Sequence, residues 1–71
     1  MSKNVLKVLD ICDKLSLDYM ITLDSGFKVE LTPTHYINND MLYVYDEGWD
    51  IVDEYKLNDI IECVPIFKNK L

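Results

Sequence analysis

The hydrophobic period of this chain changes once, near residue 16, and that change restricts it to a helix followed by antiparallel strands. Val5, Val8, Leu9, Cys12 and Leu15 recur at helical spacing, with Lys3, Lys7, Asp10, Asp13 and Lys14 largely opposite, so one stripe is apolar and the other wet. Ser2 or Asn4 is the candidate cap, and Lys14 in the last turn complements the negative end of the helix dipole. Leu6 and Ile11 widen the stripe, which predicts packing on more than one neighbour. The polar side is not basic, so the segment reads as a helix lying on a sheet rather than on a membrane surface.

From Leu17 the period is two. In 17–23 the odd positions are apolar and the even ones polar except Met20; in 27–32 Phe27, Val29 and Leu31 alternate with polar residues and point inward. Asp24-Ser25-Gly26 between them supplies a turn, so the two runs predict a hairpin with one wet face. Pro33 ends the second run. Residues 34–40 read as a loop closed by Asn38-Asn39-Asp40, with Tyr36 and Ile37 plugging one end of the core. A third strand is expected over 41–45, a turn at Asp46-Glu47-Gly48 and a fourth strand over 49–55. Leu57-Asn58-Asp59 reads as one tight helical turn, and 60–64 as a short apolar strand that Pro65 ends or places at an edge. On the fourth strand Trp49, Ile51, Asp53 and Tyr55 alternate with Asp50, Val52 and Glu54, and neither set is cleanly apolar. Such a strand belongs at a sheet edge or in an interface. Ile66 and Phe67 stay apolar before the tail 68–71, and this apolar terminus is expected to tuck against the core or a second copy.

With 71 residues the chain makes a single domain, 1–71, in which 1–16 form the helix and 17–67 the β part. A unit this small buries only about 60% of its unfolded surface, so its 49% hydrophobic content predicts self-association, a homo-oligomer adding the core that one copy lacks. Charge is unevenly placed. Seven of the thirteen acids and one of the seven lysines lie between residues 46 and 62, so the entire net charge of −6 sits there. With no arginine in the sequence, direct nucleic-acid binding is not expected, since phosphate recognition and counterion release need cations on the protein. An acidic face suits a basic partner or simple solubility. Cys12 and Cys63 have no metal-like spacing and read as buried reduced thiols, the alternative being one disulfide between the helix and the last strand. The start Met-Ser-Lys-Asn has no signal-peptide pattern and no stretch could span a membrane, so a cytoplasmic location without membrane attachment is the expectation.

The order of a helix, five short strands and a tight turn before the last strand resembles the Sm-like and SH3-like small barrels. Ser25-Gly26, Asp46-Glu47-Gly48 and Leu57-Asn58-Asp59-Ile60-Ile61 carry the resemblance, which covers most of the chain and is one of layout. It implies a small α+β domain, an N-terminal helix packed on a bent five-stranded antiparallel sheet. Sm-like proteins commonly form rings, and many bind RNA through an Asp/Asn loop and an Arg-Gly loop. This chain departs from them in having no arginine and no second glycine where strand two bends. Ring or dimer formation is therefore implied and RNA binding is not. In style the chain is also similar to short acidic phage-encoded proteins that block bacterial defence systems.

Catalytic chemistry finds little support. His35 lies in Pro-Thr-His-Tyr with no accompanying nucleophile, and neither cysteine has a nucleophile context. Asp46, Glu47, Asp50 and Asp53 do not have the spacing of a calcium loop. No enzyme activity, cofactor or metal is expected. The cluster that stands out is Tyr43, Tyr45, Trp49 and Tyr55, with Trp49 able to reach Tyr45 across the turn. Two readings are open: these rings complete a small core, or they form a contact patch, since Tyr and Trp are enriched at binding hot spots. On the second reading Asp46, Glu47, Asp50, Asp53 and Glu54 form a polar rim that selects a basic protein surface. Asp50, Val52 and Glu54 would then make a row with about 6.8 Å between neighbours. The function so inferred is that of a non-enzymatic binding protein, a phage or mobile-element accessory or inhibitor. The alternatives are an oligomer holding a nucleotide or metabolite in tyrosine-lined interfaces, with Lys28 and Lys56 converging for a phosphate, and a structural assembly subunit.

Overall fold

Helix α1 runs over Lys3–Leu15 and buries Val5, Leu9 and Cys12, one side of the apolar stripe, chiefly against the last strand. The chain is known from a computed structural model that describes residues 3–67. Helical structure begins at Lys3, so Asn4 stands within it rather than capping it; Ser2 and the tail 68–71 lie outside the described residues. The stripe is narrower than the spacing predicts. Leu6 packs against the core, while Ile11 and Leu15 are exposed. The helix ends because Ser16 turns to φ +53, letting its N–H donate to the Asp13 carbonyl at 3.4 Å and the Leu17 N–H to the Cys12 carbonyl at 2.9 Å. That bond pair is a Schellman closure.

Six strands follow in two antiparallel sheets of three, giving a small α+β fold. In the first sheet β1 (Tyr19–Leu23) lies between β2 (Lys28–Leu31) and β6 (Ile60–Pro65). Alternation places Tyr19 and Ile21 inward, opposite Leu31 and Val29 on one side and Pro65 and Cys63 on the other. The expected hairpin turns at Gly26, φ +90, whose N–H donates to the Leu23 carbonyl at 2.8 Å. Phe27 does not point inward as alternation implied. It lies beyond the last ladder pair, Thr22 with Lys28, so the pleat does not fix it, and it is 65% exposed.

The second sheet has the order β3 (His35–Asn38), β4 (Met41–Tyr45), β5 (Ile51–Lys56). The segment 34–40 is thus not a loop. Pro33 breaks the extended chain, and it resumes as an edge strand that pairs only with β4 through a connection at Asn39 and Asp40. Ile37 packs on the core, but Tyr36 faces outward, 52% exposed, and plugs nothing. A 3-10 turn, Leu57–Asp59, buries Leu57 and links the sheets: the Leu57 N–H donates to the Asp40 carbonyl and the Asp24 N–H to the Asp59 carbonyl, both at 2.8 Å.

Leu42, Val44, Leu57, Ile60 and Cys63 join the helix and β1 residues in one core. Cys12 and Cys63 are both buried free thiols. Among the described residues no helix is long and apolar enough to cross a membrane.

Candidate functional site: the outer face of the second sheet

Because Leu42 and Val44 are buried, alternation along β4 turns Met41, Tyr43 and Tyr45 to the other face, where each is half-buried. Register then decides what surrounds them. Tyr36 stands opposite Tyr43 on β3, and their rings stack at 6.4 Å with a 26° interplanar angle. Glu54 stands opposite Tyr43 on β5. Tyr36 is the aromatic member of this surface that sequence reasoning missed. The available signal was the Asn39 and Asp40 connection, which sets residue 36 across from residue 43.

At the end of β4 the chain reverses through a turn held by Asp46. One carboxylate oxygen, Oδ1, accepts from the Gly48 N–H at 2.9 Å and from the Asp50 N–H at 3.0 Å. The Asp46 N–H donates to the Asp50 carbonyl at 3.0 Å and the Trp49 N–H to the Asp46 carbonyl at 3.1 Å. Four bonds therefore fix five residues. Inside this frame Trp49 sits at φ +64, a conformation costly for a bulky side chain. Its indole is 74% exposed and lies 6.1 Å from the Tyr45 ring, tilted by 52°, the proximity expected across the turn.

β5 departs from simple alternation. Val44 pairs with Asp53 and Tyr45 with Ile51, so Val52 is an extra residue in a β-bulge. A bulge re-aims the side chains around it, and Ile51 and Val52 are both exposed, 50% and 52%. The bulge interrupts the even row drawn for Asp50, Val52 and Glu54. Beyond it, Asp53 and Tyr55 stand opposite Val44 and Leu42, on the core side. Tyr55 is half-buried there; burial, and then the neighbouring Asp53 carboxylate, raise its pKa. The nine residues singled out in the sequence thus divide. Tyr43, Tyr45, Trp49 and Glu54 gather on the outer face or at its turn, with exposed Asp46, Glu47 and Asp50 around the turn, while Asp53 and Tyr55 belong to the other side.

The remaining reactive groups are quiet. Burial pushes the Cys12 thiol up, and the Cys63 thiol up to about 12, so both are protonated and poorly nucleophilic near neutrality. Burial also raises Tyr19. His35 packs edge-on against Tyr19 at 5.5 Å; burial lowers its pKa, with Asp13 and the Pro33 carbonyl pulling weakly the other way. Lys28 and Lys56 stand on strands of different sheets. Among the described residues no three of His, Cys, Asp and Glu converge to hold a metal ion. Comparison with known protein families, with curated proteins and with solved structures found no match.

Proposed function

We propose that this is a non-enzymatic binding protein, a small acidic accessory or inhibitor of the kind carried by phages and mobile elements, that covers a basic surface on another protein. The contact surface is the outer face of the second sheet with its turn: Tyr36, Tyr43, Tyr45, Trp49, Ile51 and Val52, rimmed by Asp46, Glu47, Asp50 and Glu54. One observation carries the reading. A tryptophan is held at φ +64 by a turn clamped through Asp46 and kept 74% exposed. A solitary exposed indole costs solvation and a positive φ costs strain, and backbone strain of this kind clusters at functional sites. Aromatic rings inside a carboxylate rim match the composition of binding hot spots and give the basic partner its selection.

The same proposal takes β2 and β3 as one strand bent at Pro33. The strand order then becomes β6-β1-β2/β3-β4-β5, a bent five-stranded sheet with the layout of Sm-like and SH3-like barrels. Self-association is a second element of the reading. β5 and β6 each pair on one side only, and they carry exposed Ile51, Val52, Ile61 and Val64, which invites edge pairing with another copy.

The test is affinity capture from the native host with mass spectrometry, run in parallel on the wild type and on an Asp50→Lys/Glu54→Lys variant of equal thermal stability. A protein retained by the wild type, lost by the variant and released by salt supports the proposal. Equal retention by both removes it.

A further inference from the structure

Where α1 ends and the two sheets meet, two recesses adjoin at Pro33 and Thr34. The first, about 210 Å³, is lined by Asp13, Ser16, Pro33, Thr34, His35 and Trp49. The second, about 360 Å³, has Tyr45 and the carboxylates Asp18, Asp46 and Glu47 in its wall. We propose that the first recess receives the guanidinium of one arginine from a basic segment of the protein partner, and that the second takes the neighbouring part of that segment. This rests on the reading of the outer face as a protein-binding surface and names the anchor it uses.

Charge chooses the sign of the occupant. Asp13 lines the first recess and three more carboxylates line the adjoining one, and among the described residues no lysine lines either. The C-terminal end of α1, with its partial negative charge, closes the same corner. The first recess is smaller than the about 300–1,000 Å³ of metabolite and drug pockets and has room for one side-chain head, while the second, about 360 Å³, has room for the neighbouring part of the segment.

Arginine rather than lysine follows from the wall. A guanidinium offers five donors in a plane and stacks on aromatic faces, whereas an ammonium is a compact point charge. Asp13, Ser16, Thr34 and His35 are the polar residues of the recess lining, and Trp49 is the aromatic one, the residue types that suit a planar cation. His35 Nδ1 is buried with no hydrogen-bond partner, and so is the hydroxyl of Tyr19, which is fully buried edge-on against His35. The clamped turn places the indole before binding, so little ordering remains to be done.

Titration of the 15N-labelled full chain with two peptides of equal charge, N-acetyl tri-arginine amide and N-acetyl tri-lysine amide, tests the assignment. The expected result is shifts of the Trp49 indole N–H and of the Ser16 and Thr34 amides, at several-fold lower concentration of tri-arginine than of tri-lysine. Asp13→Asn, an exposed substitution on the helix, should weaken the tri-arginine response at least threefold at unchanged melting temperature. Equal response to the two peptides overturns the assignment, as does indifference to Asp13→Asn. Shifts centred on Asp50 and Glu54 with a silent recess also overturn it, yet leave the acidic face standing. The face has its own test in the charge-reversed capture, so the two proposals fail separately.

Discussion

Trp49 is the residue on which most depends, and its backbone makes an unusual experiment available. At φ +64 the position suits glycine better than any bulky residue. Trp49→Gly relieves that strain but loses the ring contact with Tyr45 and adds freedom to the unfolded chain, terms of about 0.5–1 kcal/mol each. The substitution is expected to leave the unfolding free energy within about 1 kcal/mol of wild type, measured by urea denaturation, while weakening partner binding by at least about tenfold, as a hot-spot residue does. His35 gives a second prediction. Burial holds its folded-state pKa below the unfolded 6.5, so the neutral ring is the form the fold favours. The linked stability is fully present above pH 6.5 and is lost as pH falls through the folded-state value. The His35 ring proton should titrate below 6.5 by NMR, and the fall in melting temperature on the acid side of neutrality should flatten in His35→Gln, apart from carboxylate effects at lower pH.

Among the elements, those with an uninterrupted period and a turn residue of definite chemistry were legible. α1 declared itself through Val5, Leu9 and Cys12, the first hairpin through Ile21, Val29 and Gly26, and the 3-10 turn through Leu57-Asn58-Asp59. β3 was not, because Pro33 precedes it, apolar Tyr36 and Ile37 are adjacent, and a strand paired on one side needs no strong pattern. β5 was legible as an ambiguous edge, but its bulge depends on the pairing with β4 and leaves no mark in 49–55. Hence alternation separates Glu54 from Asp53 and Tyr55, as the pairing does, but it also sets Ile51 with those two, whereas the bulge puts Ile51 opposite Tyr45. The candidate site was readable as a composition, rings and acids together, and its division into two faces was not. At this scale self-association is the checkable consequence. Lysine on a free edge blunts strand pairing, so on the proposed self-association light scattering should show a wild type heavier than one chain and Val52→Lys and Ile61→Lys each closer to the monomer mass, with circular dichroism unchanged.

The whole molecule combines a small core with a charge concentrated in one stretch of the chain. Among the described residues eleven side chains form the core, and the charge of −6 is concentrated around the second sheet's turn, β5 and the start of β6. Field strength from such a cluster reaches about one Debye length, roughly 10 Å at 0.1 M salt, so it acts on the approach of a partner more than on the fold. On the proposed reading the rings of the outer face act later, on how long the complex lasts. The association rate of the captured partner, followed across ionic strength for wild type and for Asp50→Lys/Glu54→Lys, therefore probes the central claim most directly. The account predicts a wild-type rate that falls steeply with salt and a variant rate lower by at least about tenfold at low salt, converging at high salt. Rates that are insensitive to salt and equal in the two proteins would contradict it.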